Sequence, residues 1–164
     1  MIPELHRPVA LDRVGQGGLT VEVEAATSEL AALAIRLRLP TLAVLRCCFK
    51  LRRVAPGIIG ADGHLTAELT QVCVVSLDEF PCELAESFRV HFVPAGTEDD
   101  DPEPDAVDQI PYDGSVIDLG EAAVEQLALA LDPYPHKPGA VLGSATDAPD
   151  PHPFGVLAAL RPRS

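Results

Sequence analysis

Residues 71–88 of the chain read QVCVVSLDEFPCELAESF, and this stretch decides the interpretation of the fold. Two runs that alternate between apolar and polar residues meet at the acidic break that begins at Asp78, which is typical of a β-hairpin. If the strands pair symmetrically about this break, Cys73 lies opposite Cys82. The stretch therefore predicts two antiparallel strands, one from the turn at 55–57 to about residue 77 and one that ends near residue 93.

Two further segments show the same alternation. Residues 19–25 place Leu, Val and Ala on one face and Thr and Glu on the other. Residues 42–53 place Leu, Cys and Phe on one face and mainly basic residues on the other. With the hairpin, these segments predict an antiparallel sheet of four or more strands that has one apolar face.

Two segments repeat their apolar residues at helical spacing. In residues 27–39, Thr27 or Ser28 can cap the first amides and Pro40 ends the helix. Residues 118–131 begin at Asp118, which is typical of an N-cap. We therefore predict an α+β fold in which both helices pack on the apolar face of the sheet.

The fold class suggests how the chain is divided. We predict a single α+β domain over residues 1–135. Within it, residues 94–111 are rich in proline and acids and poor in apolar groups, so we expect a mobile acidic loop. Residues 136–164 are interpreted as a linker followed by a short apolar C-terminal segment at 153–161, which either docks on the domain or meets a partner.

The composition excludes several classes of protein. No apolar run approaches the roughly 20 residues that cross a bilayer, and no apolar stretch follows a basic N-terminus, so we expect a cytoplasmic protein without a membrane partner. The formal net charge of −13 disfavours binding of a nucleic-acid backbone by the molecule as a whole. The chain carries none of the glycine-rich, serine-elbow or zinc-protease motifs, so we expect a protein that is not an enzyme and needs no cofactor.

The charge is sorted along the chain. Residues 36–53 hold six of the twelve basic residues and no acid, whereas residues 98–108 hold seven acids and no base. The basic candidates for binding RNA or a partner are Arg36, Arg38, Arg46, Lys50, Arg52 and Arg53. The acidic candidates for binding a basic partner are Glu98, Asp99, Asp100, Asp101, Glu103, Asp105 and Asp108. Arg46, Lys50 and Arg52 lie along one strand and are called the basic row. Their spacing is close to that of backbone phosphates, but such charges also protect strands from aggregation.

The cysteines offer an alternative function. By their alternation, Cys47, Cys73 and Cys82 point with the apolar side chains, as expected of core-filling thiols. Cys48 points outward among basic residues, which would favour a reactive thiolate. The alternative is therefore a thiol-dependent redox or metal-binding module that uses Cys48 or the Cys73/Cys82 pair.

The two sheet histidines add little to a metal site. His64 and His91 are expected on the outer face of the hairpin, where they could approach each other. Two imidazoles do not complete a metal site, so no metal is predicted.

Four runs in a fixed order resemble the YceD family, the large ribosomal RNA subunit accumulation proteins, and its alphaproteobacterial branch in particular. They are SELAALAIRLRL at 28–39, QVCVVSLDEF at 71–80, VIDLGEAAVEQLALALDPYP at 116–135 and HPFGVLAALR at 152–161. The resemblance implies a non-catalytic role in ribosome biogenesis, through accumulation or processing of the large-subunit ribosomal RNA. A ribosomal protein or assembly factor, and rRNA itself, are the partners that it implies. The oligomeric state stays open.

The chain departs from the family at one position. Many members carry CxxC where this chain has Cys73 followed by Ser76. Because serine is a poor zinc ligand, the metal site that those members could build is not expected here. A direct RNA binder would depend on the basic row, whereas a protein that holds a basic ribosomal protein would use its acidic surface. The overall charge favours the second.

Overall fold

The computed structural model describes residues 3–97 and 106–141. The elements are β1 (Pro8–Ala10), a short 3₁₀ turn (Leu11–Arg13), β2 (Leu19–Glu24), α1 (Thr27–Arg36), β3 (Thr41–Ala55), β4 (Ile58–Val72), β5 (Glu79–Pro94), β6 (Asp108–Tyr112), β7 (Val116–Asp118) and α2 (Leu119–Ala130). The apolar segment 153–161 and the acidic residues 98–105 lie outside the described residues. In the part of the chain that the structure describes, no helix is long and apolar enough to cross a membrane.

The main sheet has five strands in the order β2-β3-β4-β5-β6, and β1 pairs with β7 in a separate two-stranded sheet. The strands β2 to β5 are antiparallel neighbours, as predicted. The prediction of a purely antiparallel sheet is wrong, because β6 runs parallel to β5. β5 ends at Pro94 and β6 begins at Asp108, beside Val90, and a connection of this length allows parallel pairing. Residues 108–111, predicted as part of the acidic loop, therefore belong to a strand.

Both helices pack on the apolar face of the sheet, as the alternation predicts. α1 packs on β3, and α2 contacts β1, β2, β4 and β5. The side chains of Leu45, Phe49 and Leu65, which face these helices, are at most 1% exposed. Since burial of one such side chain stabilises a fold by about 1.5–3 kcal/mol, this layer supplies much of the stability.

The β4–β5 hairpin closes through a longer turn than expected. Val72 pairs with Glu79, and the amide of Cys73 donates a hydrogen bond to the carbonyl of Asp78 at 2.9 Å. The turn is therefore centred before Asp78, and Cys82 pairs with Leu69 instead. The predicted juxtaposition of Cys73 and Cys82 is wrong, because Cys73 lies in the turn.

The Asp62-Gly63 step, which signals a tight turn or a bulge in the sequence, lies within the uninterrupted pairing of β4 with β5. A Cβ at Gly63 would come within 2.1 Å of the ring of Phe88. Phe88 also contacts Phe49 edge to face, with ring centroids 5.7 Å apart. Glycine is present here because an aromatic ring lies directly against the strand.

The ends of α1 differ from the prediction. The N-cap is Ala26, whose side chain cannot cap; instead its amide donates to Glu29 at 2.7 Å. The helix ends at Arg36, and Arg38 adopts a left-handed conformation with φ of 56°. The amide of Leu39 donates to the carbonyl of Ala34, which is the Schellman arrangement that ends helices.

The N-terminal segment is held against the start of α2. Asp118 caps α2, as predicted, by accepting a hydrogen bond from the amide of Gly120 at 2.9 Å. The same carboxylate accepts from the amide of Arg7, also at 2.9 Å. Leu5 is fully buried, and its carbonyl oxygen would lie 2.4 Å from a Cβ at position 120. The segment and the helix therefore approach so closely that only glycine fits between them.

Candidate functional site

The candidate site is the face of the main sheet that is turned away from the helices, which we call the outer face. Cross-strand pairing places the even positions of β3 from Val44 onwards, the even positions of β4 and the odd positions of β5 on this face. Its polar and charged members include Glu22, Glu24, Arg46, Cys48, Lys50, Arg52, Asp62, His64, Thr66, Glu68, Glu83, Ser87 and Arg89. The outer face is therefore a mixed surface of acids and bases.

One predicted cation, Arg46, is paired across the sheet. Its guanidinium donates to Glu24 at 2.8 and 3.0 Å, and the two residues lie directly opposite each other on β3 and β2. Both side chains are more than 60% exposed. The pair neutralises one of the charges on which the predicted basic row depends.

Three basic residues surround one carboxylate on the outer face. We call this group of Lys50, Arg52, Asp62 and Arg89 the basic end. The guanidinium of Arg89 donates to Asp62 at 2.7 Å and that of Arg52 at 3.1 Å. Lys50 pairs directly across from Asp62 and, among the described residues, forms no ion pair. The hydrogen bond from Arg89 is the main cause of a lowered pKa at Asp62. The basic end thus keeps a local excess of positive charge.

Arg89 is absent from the sequence-based candidates. Its alternation places it on the outer face, but its partner Asp62 is 27 positions away in the chain. Only the register of β4 and β5 brings the two together. A search restricted to basic runs therefore cannot find it.

Arg53 has a structural role. Its side chain donates to the carbonyls of Val14 and Leu11, both at 2.7 Å. These contacts attach the end of β3 to the short 3₁₀ turn. The guanidinium is therefore engaged with backbone groups of the fold.

Arg36 connects the N-terminal segment with both helices. Its guanidinium donates to Glu4 at 2.9 Å and also pairs with Glu121. The hydrogen bond that Arg36 donates to Glu121 is the largest cause that raises the pKa of Arg36 above its ordinary value. Arg38 lies beyond the helix end and, in the part of the chain that the structure describes, forms no ion pair.

The acidic end of the outer face consists of Glu68 and Glu83. These residues lie directly opposite each other on β4 and β5, and both are exposed. Neither forms an ion pair with a described residue. Like charges directly opposite each other destabilise a sheet, so this pair lowers the stability of the free protein. Sequence inspection misses it, because the two residues are far apart in the chain.

Of the predicted acidic loop, only Asp108 lies within the described residues. It opens β6, where it pairs with Val90. The remaining acidic candidates are Glu98, Asp99, Asp100, Asp101, Glu103 and Asp105, which lie outside the described residues. Their role stays a prediction.

The thiols occupy four different environments. Burial raises the pKa of Cys47 to about 12, and burial also raises the pKa of Cys82. Cys48 is half-buried in an open depression of about 450 Å³ on the outer face, between Lys50 and His64. No two of these sulfurs are brought together as a redox pair would require, since Cys73 and Cys82 are not opposite each other.

Cys73 differs from the other thiols. Its side chain is fully buried in the turn, where the amide of Ser76 lies 3.4 Å from the sulfur. Hydrogen bonds from the Ser76 hydroxyl, and then from its amide, lower the pKa of Cys73 to about 6. Ser76 therefore serves as a donor to the sulfur of Cys73.

The described residues bring no metal site together. In residues 3–97 and 106–141, no group of three or more His, Cys, Asp or Glu side chains converges. His64 is hydrogen-bonded to Ser87 at 3.0 Å, and His91 pairs with Gly60, four residues along β4 from His64. The predicted approach of the two histidines is wrong, because four residues of strand span about 13 Å.

Comparison with known proteins identifies the family. Neither the curated proteins nor the solved structures include a match to the chain. The sequence model of one family, described as "Large ribosomal RNA subunit accumulation protein YceD", matches residues 61–160. The match runs from within β4 through α2 and reaches the C-terminal apolar run, which is more than half of the chain. The predicted resemblance to this family is thereby confirmed, and the chain belongs to the YceD family.

Proposed function

We propose that the protein is a non-catalytic ribosome-biogenesis factor that promotes accumulation or processing of large-subunit ribosomal RNA by binding a basic protein partner. The family description supports the link to the large-subunit RNA. The net charge of −13 favours a partner of opposite charge, such as a ribosomal protein. A cytoplasmic location follows from this proposal.

The observation that carries the choice of partner is the internal engagement of the predicted arginines. Arg36 and Arg46 are paired with glutamates. Arg52 and Arg89 are both paired with Asp62, and Arg53 binds backbone carbonyls. An RNA phosphate would have to displace these acceptors, so each exchange would yield little net attraction. Direct RNA binding would depend on the basic end and on Arg38.

The acidic end supports a basic partner. Glu68 and Glu83 face each other without cations from the described residues between them. A lysine or arginine from a partner would relieve this repulsion, so the free energy that the pair costs the free protein would be recovered in the complex.

The proposal is tested by purifying the tagged full-length chain from its native cell at low salt, with and without ribonuclease. We expect large-subunit ribosomal proteins to be enriched in both samples. Charge reversal at Glu68→Lys and Glu83→Lys should remove them.

The matched control carries Asp12→Lys and Asp113→Lys, which change the net charge equally. Both aspartates are exposed, and they lie near the β1–β7 sheet, at the other end of β4 from Glu68. The control should retain the partner, because it leaves the acidic end unchanged. The choice of partner would be contradicted if ribonuclease abolished the capture. It would also be contradicted if Lys50→Glu abolished the capture and Glu83→Lys did not. Capture of no ribosomal component would contradict the function.

A further inference from the structure

Among the described residues, no strand lies beside one side of the first part of β5. β6 pairs only with Val90–Pro94 of β5. Within residues 3–97 and 106–141, the preceding part of the strand, Glu79–Arg89, pairs with β4 alone. The side chains of Glu83, Ala85 and Glu86 along this part are exposed. A strand with one free side is a template for a further strand.

The direction of the backbone groups along the edge follows from the pairing. In an antiparallel ladder, hydrogen-bonded positions alternate with positions whose N–H and C=O groups point away from the neighbour. Pro81 pairs with Thr70 and has no N–H, which fits a position that points away from β4. The pairing of β4 with β5 then continues without a register shift, so Glu83, Ala85 and Ser87 share this direction.

A second observation confirms this direction. Ala95, which has the same parity, donates its amide to the carbonyl of Tyr112 at the end of β6. The odd positions of β5 therefore point to the side on which β6 lies. The N–H and C=O groups of Ala85 are accordingly presented at the open edge, as they would be to an incoming strand.

The charge along this edge selects the incoming strand. Glu79, Glu83 and Glu86 lie on Glu79–Arg89, and Glu68 lies directly beside Glu83. Glu83 is on the outer face, whereas Glu86 pairs with Leu65 on the opposite face. A second copy of this strand would be repelled, and Pro81 also protects the edge from such pairing. A basic strand would instead place cations beside glutamates on both faces.

We propose that the edge Glu79–Arg89 binds a basic, extended segment of a protein partner by addition of a β-strand. The inference rests on the proposed function, since it names how the basic partner binds. Main-chain hydrogen bonds to the edge supply affinity, and the glutamates supply the preference for lysine and arginine. The neighbouring acidic end contributes to the same surface.

The first test compares the full-length protein with Ala85→Pro, using Ala85→Thr as the matched control. Proline removes the outward N–H at position 85 and leaves the bonds to β4 in place, whereas threonine keeps the N–H and suits a strand. The probe is a short synthetic peptide of alternating lysine and valine, and binding is measured by fluorescence anisotropy. We expect Ala85→Pro to weaken binding by about tenfold or more, and Ala85→Thr to leave it within about twofold.

A second measurement does not depend on folding of the proline variant. The same peptide, N-methylated at every residue, has no backbone N–H on either side of the strand to donate to the edge, and it should bind the wild-type protein about tenfold more weakly. A glutamate-valine peptide should not bind. Equal binding of the methylated and unmodified peptides, or wild-type binding by a folded Ala85→Pro variant, would overturn the inference.

Capture from native cells separates this inference from the proposed function. If the wild-type protein captures a ribosomal protein and Ala85→Pro does not, both stand. If both capture it equally, the edge is not the binding site and the function stands. If the wild-type protein captures no ribosomal component yet binds the lysine-valine peptide through the edge, the function fails and the strand addition stands.

Discussion

Replacement of Gly120 by alanine should destabilise the protein, although the same change within a helix normally stabilises it by about 1 kcal/mol. Gly120 lies in the first turn of α2. A Cβ there would be 2.4 Å from the carbonyl oxygen of Leu5 and 2.8 Å from its carbonyl carbon. These are backbone atoms, so no side-chain rotation relieves the overlap. The N-terminal segment must move or leave.

The size of the effect follows from what the segment contributes. Release of the fully buried Leu5 costs about 1.5–3 kcal/mol. Loss of the hydrogen bond from the amide of Arg7 to Asp118 adds about 0.5–1.5 kcal/mol. The gain in helix propensity offsets about 1 kcal/mol of this loss. We therefore expect a net decrease of about 2 kcal/mol in the free energy of unfolding.

Urea unfolding, followed by circular dichroism, measures this change. The matched control is Gly17→Ala, because no atom lies within 4 Å of a Cβ at Gly17 and its φ is not positive. The control should be as stable as the wild type or slightly more stable, since alanine reduces the entropy of the unfolded chain. A Gly120→Ala variant with wild-type stability would refute the close approach of the N-terminal segment to α2.

Three further predictions concern the outer face and the hairpin turn. Glu83→Gln should raise the free energy of unfolding by about 0.2–1 kcal/mol, because it removes the repulsion from Glu68. Urea unfolding at low salt measures this change, and an unchanged midpoint would contradict the prediction. Ser76→Ala should raise the pKa of Cys73 from about 6 towards its ordinary value, since the hydroxyl donor is lost; thiolate absorbance across a pH titration should shift to higher pH, and an unshifted curve would exclude this role of the hydroxyl. Asp62→Asn should destabilise the protein at neutral pH, and this effect should be lost as the pH falls below about 4. The reason is that the pKa of the carboxylate is lowered on folding. Such a group stabilises the native state above its unfolded pKa and loses this contribution as the pH falls through its folded pKa. A difference between this variant and the wild type that is the same at pH 7 and pH 3 would contradict it.

Local sequence patterns predict the parts of the fold in which one face is buried over several residues. The alternation in β3 and β4 predicts correctly which side chains face the helices, since a slip of one residue would expose all of them. The cap at Asp118 is predicted for the same local reason, because its carboxylate bonds amides two and three residues ahead.

Features that depend on distant pairs escape such patterns. β1 has only three residues, which is too short to show a period, and its partner β7 is equally short. The direction of β6 is set by its pairing with Val90–Pro94 of β5, which is not a local property of Asp108–Tyr112. The turn of the hairpin is misplaced because Asp78 resembles its centre, whereas the pairing of Val72 with Glu79 sets it earlier.

The candidate site shows the same division. Arg46, Lys50 and Arg52 are recognised from sequence as a row on one face, and that placement is correct. Their partners Glu24 and Asp62 come from other strands, so the pairing of Arg46 and Arg52 with acids cannot be predicted before the register is known. The acidic end escapes for the same reason. Sequence therefore predicts which side chains share a face, and the sheet register decides which of their charges are paired with opposite charges.

The contact between the N-terminal segment and α2 also has a consequence for biosynthesis. Arg7 and its hydrogen-bond partner Asp118 are 111 positions apart, so Arg7 leaves the ribosome well before Asp118 and waits for it. At about 5–20 residues per second, this wait is about 5–20 seconds. During this time the N-terminal segment lacks its contacts with α2, while the β3–β4–β5 meander can already pair along its length. The nascent chain therefore passes through a stage with a formed sheet and an open apolar face, and final closure occurs when α2 emerges.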